Sequence, residues 1–267
     1  MANNAPVGVF DSGLGGLTVA RALMRRLPAE SLVYVGDTAR VPYGPKSATT
    51  VQRYALQIGE WLVDQGVKAV VVACNTATAH ALTALREALP VPVIGVIEPG
   101  ARAASRATVR GPVGVIATAG TIASGAYTAA LTAIASTIEV VPVACPLFVP
   151  LVEEGLIDHP ATRLIAQEYL APLRAAGVDT VVLGCTHYPL LRPILSAALG
   201  PGVTLIDSAE ETAAELAAIL GDADTLADAG VAPRHRVVAS DAPQHFLRLG
   251  SRFLDRPLEY VEHHVFT

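Results

Sequence analysis

Short runs of consecutive apolar residues alternate along this chain with longer stretches in which apolar residues recur at helical spacing. Val7-Gly8-Val9-Phe10, Leu32-Val33-Tyr34-Val35, the stretch from Lys68 to Ala73 and Val93-Ile94-Gly95-Val96-Ile97 are runs of the first kind. An apolar run without alternation predicts a strand buried on both faces, as in a parallel sheet. The intervening segments Leu17 to about Leu27, Thr49 to Gln65 and Ala77 to Leu89 read as helices, and Val51, Leu56, Ile58 and Leu62 fall near one face of the second. Gly36 to Ser47, with Pro42 and Pro45, reads as a loop. Strands alternating with helices of this length predict an α/β fold with a parallel sheet covered on both sides.

After Pro99 the pattern starts again. Val113-Gly114-Val115-Ile116-Ala117-Thr118-Ala119-Gly120 repeats the shape of Val7 to Gly13 at an offset of 106 residues. Val70 to Thr76 and Val181 to His187 are both apolar runs that end in a cysteine, Cys74 and Cys185, 111 residues apart. Val96-Ile97-Glu98-Pro99 is echoed by Leu205-Ile206-Asp207-Ser208 at 109. Offsets this similar predict an internal duplication: two pseudo-symmetric parallel-sheet α/β domains facing each other across a cleft. The expected partition is 1–97 plus 209–267 for the first domain and 98–208 for the second, with the segment from Glu210 onward lacking a counterpart and returning to the first.

Composition narrows the function. With 267 residues, 52% of them hydrophobic, the chain can bury a large core without staples. No run approaches the roughly 20 apolar residues of a membrane span, and Met1-Ala2-Asn3-Asn4-Ala5-Pro6 has no basic start or apolar stretch. Three cysteines make a poor disulfide framework, so free thiols in a reducing cytoplasm are expected. The net charge is −5 and the seventeen Arg and two Lys are scattered, which argues against nucleic acid as a partner.

If the domains face each other, the carboxyl ends of equivalent strands meet at the cleft, where open α/β sheets bind ligands. Two cysteines approaching one ligand from opposite sides suit removal of a proton from one face of a carbon and return of a proton to the other. An ordinary cysteine pKa of about 8.5 leaves thiol and thiolate both accessible. Asn75-Thr76-Ala77-Thr78, Thr186-His187, Asp11-Ser12-Gly13-Leu14-Gly15-Gly16 and Thr118-Ala119-Gly120-Thr121 offer uncharged donors and helix starts for carboxylates. None matches a dinucleotide fingerprint or a phosphate loop. No metal site is expected, and Lys46 and Lys68 lack a phosphate cup beside them, so no cofactor is expected either. Simpler roles also suit these residues: buried hydrophobe for a strand-end cysteine, N-cap for Asp11 and Asp207, structural histidine for His187, half-solvated surface for Glu153 and Glu154. Cys145 has no repeat partner and reads as core.

Six stretches carry a resemblance. They are Val7 to Val19, Gly36-Asp37-Thr38-Ala39-Arg40-Val41-Pro42-Tyr43-Gly44, Ala73-Cys74-Asn75-Thr76-Ala77-Thr78-Ala79, Ile116 to Gly125, Cys145 to Glu153 and Leu183-Gly184-Cys185-Thr186-His187-Tyr188-Pro189-Leu190. In these the chain resembles the cofactor-independent, two-cysteine glutamate racemases of the aspartate/glutamate racemase superfamily. The likeness thins after about Leu220. The resemblance implies that Cys74 exchanges the α-proton on the D face of glutamate and Cys185 on the L face, with Asp11 assisting Cys74, and His187 with Glu153 assisting Cys185. It implies substrate contacts from Ser12, Pro42, Tyr43, Gly44, Asn75, Thr76, Thr118, Thr121 and Thr186. A cytoplasmic homodimer supplying D-glutamate for peptidoglycan follows from the same source. Two other readings stay open: an aspartate or hydantoin racemase or a decarboxylase of the same superfamily, and a non-catalytic two-lobed binder of small acids whose cysteines are inert or a redox pair.

Overall fold

A computed structural model describes residues 2–266. The first half runs β1 (Val7–Asp11), α1 (Leu17–Arg26), β2 (Leu32–Gly36), α2 (Ala48–Asp64), β3 (Ala69–Val72), α3 (Asn75–Ala88), β4 (Val93–Gly95) and α4 (Ile97–Ala107). The second continues with β5 (Val113–Ala117), α5 (Ala119–Ala123), α6 (Ala126–Ile134), β6 (Val140–Ala144), α7 (Phe148–Glu153), α8 (Pro160–Tyr169) and α9 (Ala171–Ala175). It ends with β7 (Thr180–Gly184), α10 (Arg192–Leu199), β8 (Thr204–Ile206) and α11 (Ser208–Asp222), and the chain closes with β9 (Arg236–Ala239), α12 (Pro243–Leu254) and β10 (Glu262–His263).

The strands form two sheets, ordered β10-β9-β2-β1-β3-β4 and β6-β5-β7-β8, and every pairing is parallel. The orders β2-β1-β3-β4 and β6-β5-β7-β8 are the same topology, so the repeat in the sequence is a repeat in space. The central strands are fully buried, Val7–Asp11 and Ala69–Val72 in one sheet and Val113–Ala117 and Thr180–Gly184 in the other. Burial on both faces explains their unbroken apolar runs. Pro142 interrupts β6 without breaking it because β6 is an edge strand.

Two expectations need correction. The apolar run from Val93 does not stay extended to Ile97: the strand ends at Gly95, Val96 is the N-cap and Ile97 opens a helix. Pro99 is accommodated because the first-turn N–H groups of a helix lack intrahelical partners in any case. The fourth strands of the two halves, beginning at Val93 and Thr204, and the helices after them, beginning at Ile97 and Ser208, are therefore each 111 residues apart rather than 109. Nor does the segment from Glu210 wholly lack a counterpart, since α11 is the equivalent of α4. These two helices pack on each other, α4 lying also on α6 and β7, and α11 on α1. The unmatched part is β9, α12 and β10, which extend the first sheet beside β2. From these memberships we propose the partition 1–97 plus 209–267 (lobe 1) and 98–208 (lobe 2); Met1 and Thr267 lie outside the described residues.

Far from the cleft, the side chain of Lys68 is enclosed. Its Nζ sits 2.7 Å from Glu30 Oε2 and donates to the carbonyls of Asn3 at 2.6 Å and Thr225 at 2.7 Å. This tie fixes the α11–β9 connection beneath lobe 1.

Candidate active site

The two sheets bring their carboxyl ends to one cavity of about 360 Å³ between the lobes. Cys74 follows β3 and Cys185 follows β7, at equivalent places in the two topologies, and both thiols line that cavity. All three cysteines are unpaired. Cys145 is buried but does not line the cavity, and it sits in the core with Phe148 and Tyr188.

Cys74 is the N-cap of α3, its Sγ accepting the Ala77 N–H at 3.4 Å, with Ser12 Oγ at 3.7 Å. Burial, and after it the Asp11 charge, pushes the Cys74 thiol up to about 12. Asp11 ends β1. One carboxylate oxygen accepts the Gly13 N–H at 3.0 Å, while the other is buried without a hydrogen-bond partner. It does not cap α1, whose N-cap is Gly16. Burial raises the Asp11 pKa, against the lowering effect of His187. Asp207, in contrast, does cap α11, accepting from Ala209 N at 3.0 Å.

On the other side, His187 Nδ1 lies 3.9 Å from Cys185 Sγ and its Nε2 lies 3.0 Å from Glu153 Oε1 at the end of α7. Burial opposes a charge on this imidazole, but the Cys185 and Glu153 contacts outweigh it and lift the pKa to about 10. The ring is enclosed: a Cβ placed on Gly15 would come within 2.5 Å of Nδ1. The Asp11–Gly16 turn therefore abuts His187 directly, and Thr18 Oγ1 donates across the seam to the Thr186 carbonyl at 3.3 Å. Each thiol has its own acid–base neighbour, Asp11 on one side and the His187–Glu153 pair on the other.

Hydroxyl and amide groups line the space between. Ser12, Pro42, Tyr43, Gly44, Asn75, Thr76, Thr118 and Thr186 all border the cavity. Thr121 stands behind it, buried, with Oγ1 3.2 Å from Thr76 and 3.0 Å from Thr118; Thr76 and Thr118 are themselves 2.9 Å apart. The expected carboxylate cradle at Thr118–Thr121 is partly occupied by the protein, because Gly120 N–H donates to the Gly44 carbonyl at 3.0 Å and Thr118 caps the five-residue α5. Cys185 likewise opens onto a 3₁₀ turn, Tyr188–Leu191, before α10 begins.

Three contributors were not anticipated. Tyr127 donates to Asn75 Oδ1 at 2.7 Å across the lobes. Fully buried Asp37 takes hydrogen bonds from Tyr43, from Arg40 Nε at 2.7 Å and from Ser240 at 2.8 Å. Phe253 packs on His187 with ring centroids 5.2 Å apart. Tyr127 and Phe253 act through partners distant in sequence, and Asp37 joins its neighbours Arg40 and Tyr43 to the distant Ser240, so no hydrophobic pattern announces them.

Two thiols stand at pseudo-symmetric strand ends on one cavity, each beside titratable side chains, Asp11 on one side and His187 with Glu153 on the other. The family model for Asp/Glu/hydantoin racemase matches residues 14–216. The chain is 54% identical over 93% of its length to the glutamate racemase of Geobacter metallireducens, covering 92% of that protein. A solved glutamate racemase isoform from Bacillus anthracis superposes with a TM-score of 0.93 at 44% identity, covering 99% of this chain and 98% of that one. A Francisella tularensis glutamate racemase, solved with D-glutamate, gives 0.92 at 38% identity over 98% of each chain. The chain belongs to the Asp/Glu/hydantoin racemase family, and within it to the glutamate racemases.

Proposed function

We propose that this protein interconverts L- and D-glutamate by two-base proton transfer, with Cys185 serving the L face and Cys74 the D face. The observation that carries the reading is the placement of both thiols on one cavity from equivalent strands of separate sheets. In the L-to-D direction the Cys185 thiolate removes the α-proton and the Cys74 thiol then donates its proton to the opposite face; the reverse direction exchanges the roles. Asp11 serves Cys74, and the His187–Glu153 pair serves Cys185. The hydroxyl, amide and backbone groups around Thr76, Thr118 and Asn75 hold the substrate carboxylates and amino group.

A thiolate is a weak base toward a carbon next to a carboxylate. The barrier must fall through donors aimed at the carbanion-like transition state in a water-poor space. Cys74 and Cys185, themselves only 5% and 7% exposed, suit that requirement. The reading invokes no cofactor. Among the described residues, no helix is long and apolar enough to cross a membrane. Three free thiols fit a reducing cytoplasm, where the enzyme would work as a homodimer supplying D-glutamate for peptidoglycan.

Incubation with L-glutamate in D2O tests the reading. Loss of the α-proton signal by NMR should accompany decay of optical rotation to zero. Absence of both exchange and D-isomer would sink it, and faster turnover of aspartate or a hydantoin would redirect it within the family.

A further inference from the structure

The C-terminal helix α12 lies beyond the segment matched by the family model, which ends at residue 216. It is nevertheless built into the site. Phe246 and Phe253, seven residues apart, lie on one face of α12 and are both buried. Phe246 packs into lobe 1, its ring 6.2 Å from that of Tyr34 and directly over Gly36. Gly250 between them has no space for a Cβ, which would meet Leu17 of α1 at 3.0 Å. The helix is thus clamped to lobe 1 along its length, and its last turn reaches lobe 2.

There Phe253, 2% exposed, meets the His187 ring at 5.2 Å with the planes 78° apart. This near-perpendicular arrangement is a favourable one for aromatic pairs, and an imidazolium gains further from a neighbouring π-system. The adjacent Arg252 places Nη1 against Gly155, in the turn directly after the helix that carries Glu153; a Cβ there would meet it at 2.9 Å. Consecutive residues of α12 therefore touch His187 and the turn that follows Glu153. His187 needs both of its nitrogens aimed, Nδ1 at Cys185 and Nε2 at Glu153. A ring flip or tilt would break both contacts, and Phe253, with Gly15 at another side, leaves little space for either.

We propose that Phe253 is a positioning residue for proton transfer on the Cys185 side: it holds the His187 imidazole in line with Cys185 and Glu153, so that α12 of lobe 1 completes the acid–base apparatus of lobe 2. The proposal rests on the racemase reading above and extends it to one half of the reaction. Its signature is asymmetry between the two directions. If transfer at the L face slows, that step limits turnover more strongly. With α-deuterated L-glutamate the deuterium is then in flight in the limiting step, whereas with α-deuterated D-glutamate it has already left.

Phe253→Leu removes the ring and keeps an apolar side chain, and Phe253→Met serves if the leucine variant fails to fold. Phe246→Leu is the control, since it loosens the same helix where it meets Tyr34 and not His187. The Phe253 variants should lose roughly 10- to 100-fold in kcat, the scale expected of a slight misplacement of a reacting group. Their isotope effect should rise with L-glutamate and fall with D-glutamate, and the ¹⁵N resonances of the His187 ring should move. Phe246→Leu should leave both the isotope effects and those resonances as in the wild type. Wild-type kcat in a folded Phe253 variant, an isotope effect that changes equally with L- and D-glutamate, or the same change in Phe246→Leu would each overturn the proposal. If the wild type itself exchanges no α-proton of glutamate, the racemase reading fails separately, and unmoved His187 resonances in the Phe253 variants would still refute the contact's role.

Discussion

The phenol of Tyr127, on α6 of lobe 2, donates a hydrogen bond to Oδ1 of Asn75, the residue next to Cys74 in lobe 1. Both side chains are buried, at 3% and 4% exposure, so losing the phenol leaves the amide oxygen without its buried donor. Tyr127→Phe should cost about 1–3 kcal/mol, the usual penalty for orphaning a buried acceptor. At about 2–4 °C per kcal/mol for a chain of this size, calorimetry should show a melting point lower by several degrees. The cross-lobe tie lies beside Cys74, so kcat/KM should fall several-fold in both directions, because an equilibrium constant of one binds the two together. An unchanged melting point would mean that the bond is replaced.

Replacing either site thiol should separate chemistry from folding. Cys74→Ala loses the cap on α3, at a cost near 1 kcal/mol, small beside the roughly 5–15 kcal/mol that holds a domain together. Cys185→Ala removes a side chain that borders open cavity. Both variants should keep the wild-type far-ultraviolet circular dichroism and lose racemisation by at least about 100-fold, the lower end of a general acid or base contribution. Cys145→Ala, altered within the core, should lose some stability and keep its activity. Full racemisation by Cys74→Ala or Cys185→Ala would refute the two-base scheme.

The α/β alternation was legible because a parallel strand buried on both faces must be apolar along nearly its whole length, as β3 and β5 are throughout, β1 is before Asp11 and β7 is after Thr180. The thiols were legible for the same reason: each is the first reactive side chain after such a run. The boundary at Gly95 was not, because Val96 and Ile97 are equally apolar as a helix N-cap and first turn. The pairing of Glu153 with His187 came from the resemblance alone, because it depends on how α7 packs against the 3₁₀ turn that follows His187. Asp37 meets Ser240 across 203 residues and Tyr127 meets Asn75 across 52. Such contacts are set by sheet order and by the lobe seam, which hydrophobic periodicity along one segment does not encode.

His187 links stability to pH. Its folded pKa of about 10 stands above the ordinary 6.5, so the native state holds this proton more tightly than the unfolded chain does. The resulting stabilisation is complete below about pH 6.5, declines as the unfolded chain alone gives up its proton, and is gone above about pH 10. Urea unfolding of the wild type and of His187→Gln should therefore differ most near neutrality and below, with the gap closing as the pH approaches 10. A gap that widens with pH would mean that the imidazole is buried neutral.

The carboxylate of Asp37 is where the tail of the chain and the wall of the cavity meet. It receives the Tyr43 hydroxyl, Arg40 Nε and the Ser240 hydroxyl that follows β9. Arg40 in turn lies over the Tyr54 ring at 4.2 Å, with the Phe266 ring 5.3 Å away. Asp37→Asn keeps the size but offers a single acceptor oxygen, and its amide nitrogen can satisfy none of the three donors. One hydroxyl then loses its acceptor and the Arg40 cation loses its counter-charge, keeping only a neutral oxygen, a change that in a buried pair costs about 3–5 kcal/mol. Ser240→Ala removes one donor and leaves the carboxylate its other two, so it should cost about 1 kcal/mol. Tyr43 borders the cavity while Asp37 touches neither thiol. The asparagine variant should therefore raise KM for glutamate more than it lowers kcat, with Ser240→Ala shifting KM in the same direction by less. A fall in kcat with KM unchanged would place the influence of Asp37 on the proton transfer itself and not on how Tyr43 holds the substrate.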